Sequence, residues 1–421
     1  MTEVSALVSL CNLHQLSIVP QGGNTGLCGG ATPSNDYQSV VISTSRLNKI
    51  YDVNLENSTI TLDAGVVLAS AQEAAEQSGK LFPLSLASEG SCTIGGNLST
   101  NAGGVQVLRY GNMRELTLGL EVVTPSGEVF NGLRGLRKDN TGYSLKDLYI
   151  GSEGTLGIIT AATLKLFPLP RSKATALVAL SDINSSIQLI ELIKLHCNSD
   201  LTAFEIISSK ALTLVPSGIE KLAGLADEKS PWAVLMELSS MEDEESSYMQ
   251  LESALEKAFN ASLINDAVLS KSLHQAKELW KIREGIPEAQ LNLGTIIKHD
   301  ISLPISELAE FVSSTEVKLK IFWPHLQTVI FGHIGDGNLH YNIAPLSPEF
   351  SKDLEIRRKD INQLVHDEVY KYSGSFSAEH GIGQLKLDEL ITRKSFIEME
   401  LMRSIKRAID PQGIMNPGKV L

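Results

Sequence analysis

Pro20-Gln21-Gly22-Gly23-Asn24-Thr25-Gly26-Leu27-Cys28-Gly29-Gly30 sets five glycines between positions 22 and 30, directly after an apolar run, Leu16 to Pro20, that reads as a strand. Dense glycine admits positive φ and close backbone approach, so successive N–H groups can point at one pyrophosphate. No Gly-Lys-Ser/Thr follows, so the loop is not a P-loop. The G-x-G-x-x-G order is missing and no helix opens at its end, so it is not a Rossmann fingerprint either. Taken alone, it is as readily an ordinary glycine turn.

Two more loops change that balance. Gly90-Ser91-Cys92-Thr93-Ile94-Gly95-Gly96-Asn97-Leu98-Ser99-Thr100-Asn101-Ala102-Gly103-Gly104 interleaves glycines with small hydroxyl and amide groups. Gly151-Ser152-Glu153-Gly154-Thr155-Leu156-Gly157-Ile158-Ile159-Thr160 ends in β-branched residues that suit a strand beside a planar ring. Three such loops between Pro20 and Thr160 point to a dinucleotide cradle. The candidate contacts are Pro20 and Gly22 to Leu27 in the first loop. In the second they are Gly90, Ser91, Ile94, Gly95, Gly96, Ser99, Thr100, Asn101, Gly103 and Gly104. The third contributes Glu153, Gly154, Gly157, Ile158 and Ile159.

Outward from the loops, Val4 to Leu13 and Ala69 to Gly79 read as helices, and Val40 to Ser43 and Thr59 to Ala64 as strands. Leu118 to Thr124 and Glu128 to Phe130 flank Pro125-Ser126-Gly127 as a hairpin. Thr155 to Phe167 is strand-rich and ends at Pro168-Leu169-Pro170, the first domain boundary. Strands then alternate with helices: Thr175 to Leu180, Ala203 to Ile207 and Trp232 to Leu238 are strands, and Ile183 to Cys197, Ser246 to Phe259 and Leu269 to Gly285 are helices. Leu354 to Tyr372 reads as one long helix and Phe396 to Ile409 as another. This predicts an α+β chain with an antiparallel sheet covered by helices on one face. The expected domains are residues 1–170, 171–395 and a returning tail, 396–421.

The 421 residues carry a net charge of −13, with 43% hydrophobic and 20% charged residues. No basic cluster suits nucleic acid, and the charge disfavours anionic membranes. The four cysteines, Cys11, Cys28, Cys92 and Cys197, match no zinc ribbon or CxxC site and suit a reducing compartment. No run approaches the ~20 apolar residues of a membrane span, and Met1-Thr2-Glu3-Val4 is no signal peptide. A cytoplasmic location is expected.

The second half holds a different specialty. Gly332-His333-Ile334-Gly335-Asp336-Gly337-Asn338-Leu339-His340-Tyr341-Asn342 places two histidines around a glycine-rich turn. Its glycines argue against a helix, so His333 ends one strand and His340 starts the next, with Asn342 on the face of His340. Glu379, in Ala378-Glu379-His380-Gly381-Ile382-Gly383, can add a carboxylate. Two histidines and one carboxylate leave positions open on a divalent cation. His380 is a candidate base beside it. Arg283 and Lys298 are candidate cations for an anionic substrate.

The three loops, Arg109-Tyr110-Gly111, Asn140-Thr141-Gly142-Tyr143, the histidine turn and the terminal Asn416-Pro417-Gly418-Lys419-Val420-Leu421 together resemble the FAD-linked oxidases of the vanillyl-alcohol oxidase type. Within them the chain is most similar to the D-2-hydroxyacid dehydrogenases, and among those to the D-2-hydroxyglutarate dehydrogenases, from Thr2 to Leu421. The resemblance implies an α+β fold with a two-part FAD-binding domain of that type, Asn416 included, and a cap domain. It implies metal ligands at His333, His340 and Glu379, with zinc ahead of iron or manganese. It implies substrate contacts at Arg283, Lys298, Asn342 and His380, the last as catalytic base. The reaction implied is transfer of the C2 hydride of a D-2-hydroxyacid to flavin N5. D-2-hydroxyglutarate leads as substrate, ahead of D-lactate and D-malate.

His14 is the only histidine before His196 and lies outside the loops, so FAD is expected to be non-covalent. Two departures stand out. Some relatives carry threonine where this chain has Pro287, four residues after Arg283. Relatives also carry several dozen residues ahead of Thr2, so a truncated FAD domain with an exposed sheet edge is expected. The electron acceptor, an electron-transfer flavoprotein, quinone, cytochrome or oxygen, is not encoded in any motif, and a homodimer is expected. A flavin-free binding protein is the competing class. A metal hydrolase would leave the three loops unexplained.

Overall fold

A computed structural model describes residues 1–35, 37–215 and 229–421. By contact the chain divides into two units. The first comprises Met1–Gly104, Tyr110–Leu169 and Glu379–Leu421, and the second comprises Val105–Arg109 and Pro170–Ala378.

The first unit is built on a five-stranded antiparallel sheet, in the order Ile50–Asn54, Thr59–Asp63, Ile158–Lys165, Thr117–Val123, Val129–Gly132. Alternation in Thr59–Asp63 sends Ile60 and Leu62 into its core, where Leu68, Ala71 and Ala75 of the helix Leu68–Gln77 meet them. A parallel pair, Ser17–Gln21 with Ser39–Ser43, lies apart from that sheet. The C-terminal tail extends this pair: Ile18 N donates to Ile414 O at 2.7 Å, and Asn416 N donates to Ile18 O at 2.7 Å.

The second glycine segment is not a continuous loop. Ile94–Ser99 forms a short helix starting at Thr93. A Cβ on Gly95 would lie 2.7 Å from Ala64 Cβ, so glycine serves close packing there, and Gly95 N donates to Ala64 O at 2.7 Å. Glycine, read as a loop marker, hid a helix whose backbone presses on Ala64, just past the end of the strand Thr59–Asp63.

The second unit carries a seven-stranded antiparallel sheet, ordered Asp266–Leu269, Ser172–Leu180, Trp232–Ser240, Leu201–Ser208, Leu326–Gly332, Asn338–Pro345, Asp300–Ser302. Helices cover both faces, not the one expected. Ile183–Cys197, Glu244–Asn260, Leu308–Phe322 and Arg358–Lys371 pack into one core, and Ser209–Thr213 and Leu273–Ala289 into the other. The reason lies in the strands: Val178 and Leu180 enter the first core and Leu177 and Ala179 the second, so both parities demand cover. The helix expected over Leu354 to Tyr372 is broken into Ser351–Ile356 and Arg358–Lys371.

The chain returns to the first unit at Glu379, earlier than the boundary expected at residue 396. Local hydrogen bonds hold this segment: Gly104 N donates to Glu379 Oε1 at 2.6 Å, and Gln384 N donates to Cys28 O at 3.0 Å. Farther on, Lys406 anchors the tail. Its ammonium donates to Thr155 O at 2.7 Å, Asp410 Oδ2 at 2.6 Å and Met415 O at 2.8 Å, which satisfies all three donors. Asp410, 2% exposed, also accepts from Met415 N at 2.8 Å. Lys406→Met leaves that carboxylate buried and unpaired, and we expect a loss of about 3 kcal/mol in urea unfolding. An unchanged midpoint would remove the anchor from this account.

Candidate active site

The first unit contains an open cleft. Residues from all three glycine-rich segments line it: Pro20, Gly22, Gly23, Asn24, Thr25 and Gly26; Gly95, Gly96, Ser99 and Thr100; Glu153, Gly154, Gly157, Ile158 and Ile159. His380 lines it as well. Leu27, Gly90, Ser91, Ile94, Asn101, Gly103, Gly104 and Asn416 are not among the lining residues. Ile94 is fully buried in the sheet core, and Asn101 Oδ1 accepts from Arg114 N at 2.9 Å. Asn416 works from behind: its Nδ2 donates to Gly30 O at 2.8 Å and to Glu153 O at 2.7 Å.

Glu153 joins these parts. Its carboxylate accepts from Ile382 N at 2.7 Å and Gly383 N at 2.8 Å. Burial pushes this carboxyl above its ordinary range, and the two amides pull against that rise. Thr93, which sequence reading left out, lines the cleft with a buried hydroxyl that has no hydrogen-bond partner. Close approach also explains Gly23, where an added Cβ would lie 2.1 Å from Ser91 O.

The second unit gathers its own polar set on the sheet face under the helix Leu273–Ala289. In the strand Asn338–Pro345, Tyr341 enters the opposite core, so His340 and Asn342 share the other face. They sit opposite Phe331 and Val329, which belong to the core beneath that helix. Glu205, fully buried, accepts from Arg283 Nε at 2.8 Å and lies 2.7 Å from His333 Nδ1. Burial raises the Glu205 pKa, but the neighbouring His333 and Arg283 overcome it and hold the group at about 2. The Arg283 guanidinium also lies 4.8 Å from the centre of the Phe331 ring.

The His333 and His340 rings are 5.6 Å apart, edge to face. His340 Nδ1 stands 3.9 Å from Asp300 Oδ1, a carboxylate that also accepts from Asn338 Nδ2 at 2.9 Å. Asn342 is 3% exposed; its Nδ2 donates to Gln290 Oε1 at 2.9 Å and its Oδ1 accepts from His299 N at 3.3 Å. Lys298 is exposed between buried Ile297 and His299. Each histidine thus has a carboxylate partner, Glu205 or Asp300, that sequence reading missed. The available signal was a lone acid in Ala203-Phe204-Glu205-Ile206-Ile207, a run otherwise fit for a core strand.

Two family models match the chain: "FAD binding domain" over residues 1–132 and "FAD linked oxidases, C-terminal domain" over residues 169–420. The chain is 38% identical over 420 residues to the mitochondrial D-2-hydroxyglutarate dehydrogenase of Arabidopsis thaliana, covering 100% of this chain and 73% of that one. It is 37% identical to the D-2-hydroxyglutarate dehydrogenase of Stutzerimonas stutzeri, covering 99% and 88%. The fold is similar to that of p-cresol methylhydroxylase, with a TM-score of 0.76 at 18% identity, covering 100% of this chain and 87% of that one.

The glycine geometry is testable. We expect Gly23→Ala to cost about 1–3 kcal/mol in stability, because the clash is with backbone. Gly26→Ala, where a Cβ meets nothing within 4 Å, is expected to leave the melting temperature unchanged. Equal melting of the two variants would show that close approach at Gly23 is unimportant.

Proposed function

Because this chain belongs to the FAD-linked oxidases, we propose that it oxidises a D-2-hydroxyacid to the 2-oxoacid, with D-2-hydroxyglutarate ahead of D-lactate and D-malate. The observation that carries this reading is the buried array of Arg283, Glu205 and His333, with His340 beside Asp300 on the same sheet face. It offers a guanidinium suited to a carboxylate and two imidazoles suited to a cation, each imidazole backed by an acid as metal-bound histidines commonly are.

The cleft of the first unit suits non-covalent FAD. Its walls are rich in glycine, and the orphaned Thr93 hydroxyl offers a polar contact to a bound group. His333 and His340 are read as metal ligands. Glu379 is read as the third, following Ala378, whose N–H donates to Asp300 O at 3.2 Å. Bound FAD supplies the acceptor for the C2 hydride, at N5, and a divalent cation, zinc ahead of iron or manganese, supplies Lewis acidity toward the substrate hydroxyl. His380 takes the hydroxyl proton. Arg283 holds the substrate's C1 carboxylate, and Lys298 the distal carboxylate of a diacid. Asn342 offers its remaining amide hydrogen to a substrate oxygen.

Among the described residues no helix is long and apolar enough to cross a membrane. The four cysteines are buried and form no disulfide, which supports a reducing compartment such as the cytoplasm; the Arabidopsis relative is named mitochondrial. The acceptor is read as an electron-transfer flavoprotein or quinone.

Two variants test the assignment. His380→Ala is expected to lower kcat by about 10²–10⁴-fold while the flavin absorbance of the protein persists. A rate near that of the unmodified enzyme would remove His380 as the base. Lys298→Ala is expected to raise KM for D-2-hydroxyglutarate more than for D-lactate. Equal effects on both acids would contradict a clamp on the distal carboxylate.

A further inference from the structure

Glu205 is the only charged residue of the strand Leu201–Ser208 and is fully buried between Phe204 and Ile206. A carboxylate in such a place is costly, and an apolar side chain of similar size commonly serves folding as well or better. Its use of its two oxygens is specific. Oε2 accepts from Arg283 Nε at 2.8 Å, and Oε1 meets His333 Nδ1 at 2.7 Å. A carboxylate paired with a guanidinium is an acceptor only, so the hydrogen of that second contact must sit on His333 Nδ1. A ring that donates from Nδ1 has Nε2 left to meet a cation.

We infer that Glu205 is a positioning residue: one oxygen fixes the tautomer and ring direction of His333 for the cation, and the other fixes Arg283 for a substrate carboxylate. This rests on the proposed function, in which His333 is a metal ligand and Arg283 a substrate contact. It goes further in making the two roles interdependent. One carboxylate touches both groups, so loss of the acid disturbs both partners. Asp300 stands in a looser relation to His340, at 3.9 Å.

The test uses the full chain loaded with FAD, comparing Glu205→Gln and Glu205→Asp with the unmodified protein. Zn²⁺ affinity is read by competition with a chelator, flavin content by absorbance, and KM by steady-state turnover. We expect Glu205→Gln to bind Zn²⁺ about 10–100-fold more weakly, with KM for the hydroxyacid raised and flavin content unchanged. Glu205→Asp is expected to recover part of both losses. Unmodified Zn²⁺ affinity in a folded Glu205→Gln protein overturns the inference. If Glu205→Gln fails to fold, the unmodified protein still decides it. The ¹⁵N shifts of histidine-labelled, zinc-free protein at alkaline pH, with His333 assigned by difference against His333→Gln, report the tautomer. A proton on Nδ1 supports the inference, and a proton on Nε2 overturns it. Absence of Zn²⁺ binding by the unmodified protein would count against the functional reading alone, because the tautomer would still judge Glu205.

Discussion

Glu153 occupies the left-handed region, with φ of 50°, and so turns its chain back on itself between two glycines of the same hand, Gly151 and Gly154. From that position its carboxylate takes up two backbone amides of the returning segment, Ile382 and Gly383, while its carbonyl accepts from Asn416. Three stretches of the first unit, far apart in sequence, are fastened at this residue. The wall of the cleft and the placement of His380 follow from it, because the segment that carries His380 has its amides spent on Glu153. The cost is a buried acid, visible as the upward push on its ionisation. The amides offset that cost only while the returning segment is in place.

The second unit solves a different problem by the period of two. Its strands bury both parities, so each face must be covered, and the face beneath the helix Leu273–Ala289 can accept polar groups only where they pair. Glu205, Arg283, His333, His340 and Asp300 meet this condition by pairing with one another. Rigidity is a consequence: a guanidinium that also faces the Phe331 ring, and an imidazole bonded to a buried acid, have few orientations left.

Much of the fold was legible from the chain. The glycine-rich segments announced the cofactor-binding family, and the hairpin around Pro125-Ser126-Gly127 stands where turn chemistry puts it, with Gly127 N donating to Thr124 O at 2.8 Å. The helix Ile94–Ser99 was not legible, because Gly95 is there for contact with Ala64, a tertiary demand. The break at Arg357 carries no proline or glycine to mark it. In the site, residue types suited to the chemistry stood out in short motifs. Glu205 did not, because its partners are 78 and 128 positions away and its own surroundings are those of a core strand. Asn342 illustrates the converse: the motif drew attention to it, while its amide is already engaged by Gln290 and His299.

The most direct test of the functional account is the visible spectrum of the purified chain, supplied with FAD, during anaerobic addition of D-2-hydroxyglutarate, D-malate and D-lactate in turn. The account predicts oxidised-flavin bands that bleach with D-2-hydroxyglutarate at lower concentration than with the other two acids. A protein that takes up no flavin, or one whose flavin bands survive all three acids, would contradict it.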